Sequence, residues 1–156
     1  MQEAATHRAG SREWLYWHLF CCLCVSVPIL VVAFPPITDL PQHVAQVRLL
    51  TEALSNESSP YEVQWLTPYD LVYVLFGCGW WLFSPQASGI VGTVLLGLFW
   101  VSSLFYYGRR VAPTPLSTAL AATFFFSHLL YWGFFAFILG WGVFFIWLRV
   151  LDTPAW

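Results

Sequence analysis

Lysine is absent from this 156-residue chain, so all six basic residues are arginine, set against eight carboxylates for a formal net charge of -2. So few charges with so little imbalance exclude a basic surface for nucleic acid. Charge of either sign is scarce: 9% of residues are charged, 59% are hydrophobic and 20% are aromatic. With a mean hydropathy of +0.68, the composition leaves the range of soluble globular domains and predicts a single integral membrane domain over residues 1–156. No phosphate-binding glycine loop, nucleophile–base pair or metal-ligand spacing occurs. The four cysteines do not form a framework either. Cys21, Cys22 and Cys24 sit in one apolar run and Cys78 in another, and their spacing fits neither a zinc site nor a redox motif. Free thiols acting as small apolar side chains are expected, with acylation near the membrane surface as the alternative.

What the chain does have is long apolar runs punctuated by proline. Trp14 to Phe34 is twenty-one residues without a formal charge, enough at about 1.5 Å per residue to cross a core of about 30 Å. Trp14, Tyr16 and Trp17 supply an interfacial belt, and Pro35-Pro36 ends the run. Arg8 and Arg12 precede it, so residues 1–13 are expected in the cytoplasm and the loop 35–67 outside. A cleaved leader is the competing reading; the length of the run and the lack of a small-x-small site before Pro35 favour an uncleaved anchor. In the loop, Leu40, Val44, Val47, Leu50 and Leu54 recur at three and four residues, predicting an amphipathic helix near Pro41, capped by Asp39 and lying on the leaflet or against the bundle. Ser55 to Pro60 reads as a turn and contains the formal sequon Asn56-Glu57-Ser58.

Thr67-Pro68-Tyr69-Asp70 gives a cap, a first-turn proline and a first-turn acid ahead of an apolar segment to Ser84. Seventeen residues is the short limit for a span, so this piece either crosses or re-enters. Ala87 to Tyr107 is a comfortable crossing, closed by Arg109 and Arg110. Leu116 to Leu148, at about 50 Å as one helix, must tilt or break, and Tyr131-Trp132-Gly133 is the expected break, with Gly140 and Gly142 offering close packing. The fold class expected is all-α, a polytopic bundle of four to five membrane helices over residues 14–34 and 68–148 plus one interfacial helix, with 149–156 as a tail. Its C-terminal half has two open topologies. A crossing 68–84 puts Arg109 and Arg110 outside; a re-entrant one puts them and Arg149 inside.

Five residues stand out as candidate sites. His43, four residues after Asp39, shares its helical side, so the two could hold a metal or relay a proton. Arg48 suits a lipid phosphate or Glu52 one turn on. His18 and His128 lie within apolar runs, where a histidine could ligate haem or a chlorophyll magnesium or simply bond a neighbouring carbonyl.

Asp39-Leu40-Pro41-Gln42-His43, Tyr61 with Thr67-Pro68-Tyr69, and Trp132-Gly133-Phe134-Phe135 together resemble the N-terminal module of bacterial GT-C-type polytopic glycosyltransferases and their uncharacterised relatives. The resemblance spans roughly residues 14 to 150. It implies a bacterial inner-membrane location, a lipid-phosphate-linked sugar donor, and Asp39 as catalytic base or ligand of a divalent metal. Those enzymes carry more spans and usually a soluble C-terminal domain, beyond the stretch that the resemblance covers. On sequence the expected function is therefore a small accessory subunit of a larger membrane complex, built on a GT-C-like module, with other membrane subunits and lipids as partners and no cofactor. Part of a GT-C-type glycosyltransferase is the first alternative, and a haem- or chlorophyll-holding subunit the second.

Overall fold

The described residues, 2–56, 58–67 and 69–151 with side chains from Ser11 onward, form helices and turns and no strand in this computed structural model. The helices are α1 (Gln2–Leu30), α2 (Leu40–Ser55), α3 (Asp70–Leu82), α4 (Ser88–Val111), α5 (Pro115–Ala122), α6 (His128–Trp132) and α7 (Phe135–Leu151), with single 3-10 turns at Pro85–Ala87 and Thr123–Phe126. Two stretches are long and apolar enough to cross a membrane, Ser11–Leu30 and Pro85–Val111; α3 and α7 are apolar but shorter.

Proline decides most of the boundaries. The first helix tolerates Pro28 and stops at Leu30, four residues short of the expected Phe34. A residue before proline is pushed out of the α region, so the chain unwinds ahead of Pro35-Pro36. Ser84 and Thr114 open the next helical pieces, each accepting a hydrogen bond from a backbone N–H three residues on, and each precedes a proline whose missing N–H costs nothing in a first turn. The fourth helix runs past the expected Tyr107 to Val111, keeping Arg109 and Arg110 in the last turn, where cations suit the helix dipole.

Packing is organised around α4. Small residues on it let neighbours approach: a Cβ on Gly92 would lie 2.6 Å from Phe76 Cγ, and one on Gly97 would collide with Val25. Antiparallel alignment of α1 and α4 follows from Val25 against Gly97, His18 beside Ser102 and Trp14 edge-on to Phe105. The third helix pairs antiparallel with the first half of α4, where the buried Ser88 hydroxyl donates to the Phe76 carbonyl at 2.8 Å. The last helix runs alongside α4 in the same direction, with Gly142 against Phe99 and the Arg149 guanidinium 5.4 Å from the Tyr106 ring centre. Arg109, Arg110 and Arg149 therefore gather at the end of the bundle from which α1 starts.

The stretch between α4 and α7 departs from expectation. Leu116 to Leu148 does break at Gly133, but it also breaks at the 3-10 turn and at Ser127, because five consecutive β-branched or aromatic residues and serines (Thr123 to Ser127) favour helix weakly. Gly142 packs as expected, whereas nothing lies within 4 Å of a Cβ on Gly140. The amphipathic helix α2 packs against α3 and α4, burying Leu40 and Val47, while Leu54 stays exposed. Pro68, expected at the first helical position of α3, and Glu57 of the sequon lie outside the described residues.

Candidate functional site

The corner between α6 and α7 is closed by Gly133 at φ +88, a left-handed conformation that glycine adopts freely. The N–H groups of Gly133 and Phe134 bond back to Leu130 and Leu129, each at 2.9 Å, which is the Schellman way of ending a helix. That tight end is what the start of α2 packs on. The Thr38 N–H donates to the Tyr131 carbonyl at 2.9 Å, and a Cβ on Gly133 would lie 2.7 Å from Asp39 Cβ. Only glycine leaves room for Asp39 there.

Asp39 occupies the N-cap position of α2, its carbonyl accepting from the His43 N–H at 3.1 Å, but its carboxylate makes no capping bond. The expected capping role of the side chain is corrected on this point: at φ -93 and ψ 3 the residue is outside the extended conformation from which a side chain reaches back to the first turn. The half-buried carboxylate instead lines a cavity of about 700 Å³ with Gln42, His43, Gln46, Tyr69 and Tyr73 on one side and Gly133 to Phe137 on the other.

His43 reaches across this corner, its Nε2 3.2 Å from the Gly133 carbonyl. A carbonyl only accepts, so Nε2 carries the proton and Nδ1 holds a bare lone pair, buried and without a partner. The ring is edge-on to Phe135 at 4.9 Å and near Phe76 and Tyr73. Burial pushes the His43 pKa below its ordinary value, outweighing the Gly133 hydrogen bond and the charge of Asp39, both of which push it up. At neutral pH the imidazole is neutral and able to take a proton.

The structure thus joins Asp39 and His43 and leaves the other candidates elsewhere. Arg48 is nine residues from Asp39, half a helical rotation away, and lines a separate apolar groove with Phe34, Pro41, Trp80 and Gln86. His18 sits 3.2 Å from the Ser102 hydroxyl and stacks on Phe105, while His128 is exposed beside Trp132, so the two meet different elements. Cys21 is buried and Cys24 exposed, all four thiols being free. For a divalent ion, Asp39 and His43 supply two ligands, and no group of three His, Cys, Asp or Glu side chains converges among the described residues. One carboxylate and one imidazole are too few to hold a hard ion by protein side chains alone; water and a substrate phosphate would have to complete the shell.

Tyr73, Gln46 and the backbone of Thr38 were not legible as site residues, because nothing in their local sequence sets them apart from core or surface positions. The signal available was indirect. Three of the segments on which the resemblance rests, at Asp39 to His43, at Tyr69 and at Gly133 to Phe135, line this one cavity. No protein-family model matches the chain, and neither the curated proteins nor the solved structures provide a match to it.

Proposed function

We propose that the chain is the membrane-embedded module of a GT-C-type glycosyltransferase, with Asp39 as its base. The observation that carries this reading is the convergence of the three segments on a cavity holding an uncapped carboxylate. In the reaction, an acceptor hydroxyl attacks the anomeric carbon of a lipid-phosphate-linked sugar. The bond from that carbon to the phosphate oxygen breaks, the lipid phosphate leaves with the electron pair, and Asp39 takes the hydroxyl proton. His43 stays neutral beside it, its Nε2–H held by the Gly133 carbonyl.

The membrane topology proposed with it has α1, α4, the broken α5–α6 stretch and α7 crossing, and α3 re-entering beside α4. Thirteen helical residues reach about 20 Å, short of a core, and the pairing with α4 covers the backbone of α3. Arg12, Arg109, Arg110 and Arg149 then lie on the cytoplasmic side, in keeping with the positive-inside rule. The cavity opens on the outer side of a bacterial inner membrane.

The test is sugar transfer from a polyprenyl-phosphate sugar in proteoliposomes. Asp39→Asn should reach the membrane normally and lose activity by about 10²-fold or more, the usual share of a general base. Activity unchanged in Asp39→Asn refutes the assignment. An accessory subunit in a larger complex is the second reading, and the bare apolar face of α1 favours it: Leu15, Leu19, Phe20, Leu23 and Leu30 are all exposed, a surface that either lipid or a partner helix must cover. A stable, monodisperse monomer in mild detergent would weigh against that reading.

A further inference from the structure

A second cavity, of about 350 Å³, lies between α2, α3 and the loop that joins them. It shares Gln46 and Tyr73 with the Asp39 cavity, so the two are neighbours. The second helix spans both with one stripe, because Asp39, His43, Gln46, Leu50 and Ala53 recur at three and four residues; from Asp39 to Gln46 is two turns, about 10 Å.

Its lining has a definite chemistry. Tyr61, Trp65 and Trp81 supply large aromatic side chains and are 47%, 61% and 51% exposed, so none of the three is sealed off from a ligand. Between them stand Glu62, Gln64 and Gln46, polar groups for hydroxyls. Among the described residues, no arginine, lysine or histidine lines the cavity and two carboxylates do, which disfavours a phosphate or any other anion. Asp70 is already engaged, accepting from the Thr67 N–H at 2.9 Å and from its hydroxyl, and Trp81 donates to the Thr51 hydroxyl at 3.2 Å. These bonds fix the walls and leave the ring faces and amides available. Leu66, the residue between Trp65 and Thr67, takes a left-handed φ of 69 while its side chain stays exposed, so the loop holds a costly backbone state that contributes nothing to the core. The turn it makes sets Trp65 on the cavity wall.

Aromatic faces bind the C–H faces of a pyranose, and carboxylate and amide groups bind its hydroxyls; a neutral sugar ring is the ligand that uses both at once. We infer that this cavity is a saccharide subsite that holds the sugar acceptor, with its reacting hydroxyl directed along α2 toward Asp39. The inference rests on the glycosyltransferase reading for the role of the bound sugar, and on the cavity alone for the binding.

Saturation-transfer difference NMR on the full chain in lipid nanodiscs, free of glycoside detergents, separates the two. The probes are the methyl glycosides of glucose, galactose, mannose and N-acetylglucosamine. Saturation is expected on the ring protons of at least one of them, weakened about tenfold or more in Trp65→Ala and kept in Trp65→Phe and in Asp39→Asn. Trp65 is mostly exposed, so its truncation leaves the packing of the bundle intact. No transfer to any of the four, or transfer unchanged in Trp65→Ala, overturns the subsite. Transfer that depends on Trp65 together with full activity of Asp39→Asn keeps the saccharide site and sinks the catalytic reading instead.

Discussion

Replacing Gly133 with alanine tests the geometry on which the site depends. Two costs add at that position. An L-residue at a left-handed φ of +88 costs about 1–2 kcal/mol, and the new methyl would stand 2.7 Å from Asp39 Cβ and 3.3 Å from its Cα and N. Carbon atoms prefer about 3.5–4.0 Å, so the corner must move by most of an ångström, an overpacking that costs about 1–3 kcal/mol. The sum is about 2–5 kcal/mol, and the move pulls the Gly133 carbonyl off His43 and Tyr131 off Thr38. Reversible unfolding by SDS in bicelles gives the stability, and the companion variant is Asp39→Gly, which keeps an acceptable N-cap residue while removing the Cβ that collides. In that background only the backbone cost remains, so the double-mutant cycle should return a coupling of about 1–3 kcal/mol. A coupling within about 0.5 kcal/mol of zero would mean that Gly133 and Asp39 do not touch, and the cavity described here would not exist.

Other consequences follow from single contacts. The folded-state pKa of His43 is depressed, so the unfolded chain takes up the proton first as pH falls. Stability is full above the ordinary histidine value of about 6.5 and declines below it, and His43→Gln should flatten that acid limb when unfolding midpoints are compared between about pH 7.5 and 5; an unchanged limb assigns it to other groups. Ser88→Ala removes the buried donor to the Phe76 carbonyl and should cost about 1 kcal/mol in the same unfolding assay, without affecting sugar transfer. Gly92→Ala pushes against the ring and backbone of Phe76 and should cost about 1–3 kcal/mol by separating α3 from α4. For topology, a cysteine at Ser58 should react with an impermeant maleimide from outside, and one at Thr114 only after the membrane is opened; labelling of both from the same side refutes the proposed arrangement.

Composition and proline spacing were enough to predict helices alone, the apolar runs near α1 and α4, and the amphipathic α2, because those depend on local periodicity and on the few residues that cannot continue a helix. The glycine break at Gly133 was legible for the same reason, whereas the extra break at Ser127 was not, since weak helix formers are overridden or tolerated according to what they pack on. Asp39 and His43 could be paired from their spacing of four. That the Asp39 carboxylate leaves the cap free depends on one backbone angle, and that angle is set by Thr38 bonding to Tyr131, ninety-three positions along the chain. The direction of α7, and with it the gathering of the arginines at one end, likewise depends on Gly142 of α7 meeting Phe99 of α4, far off in sequence. Local order was written in the chain, while the site arose only where packing brought its distant segments into contact.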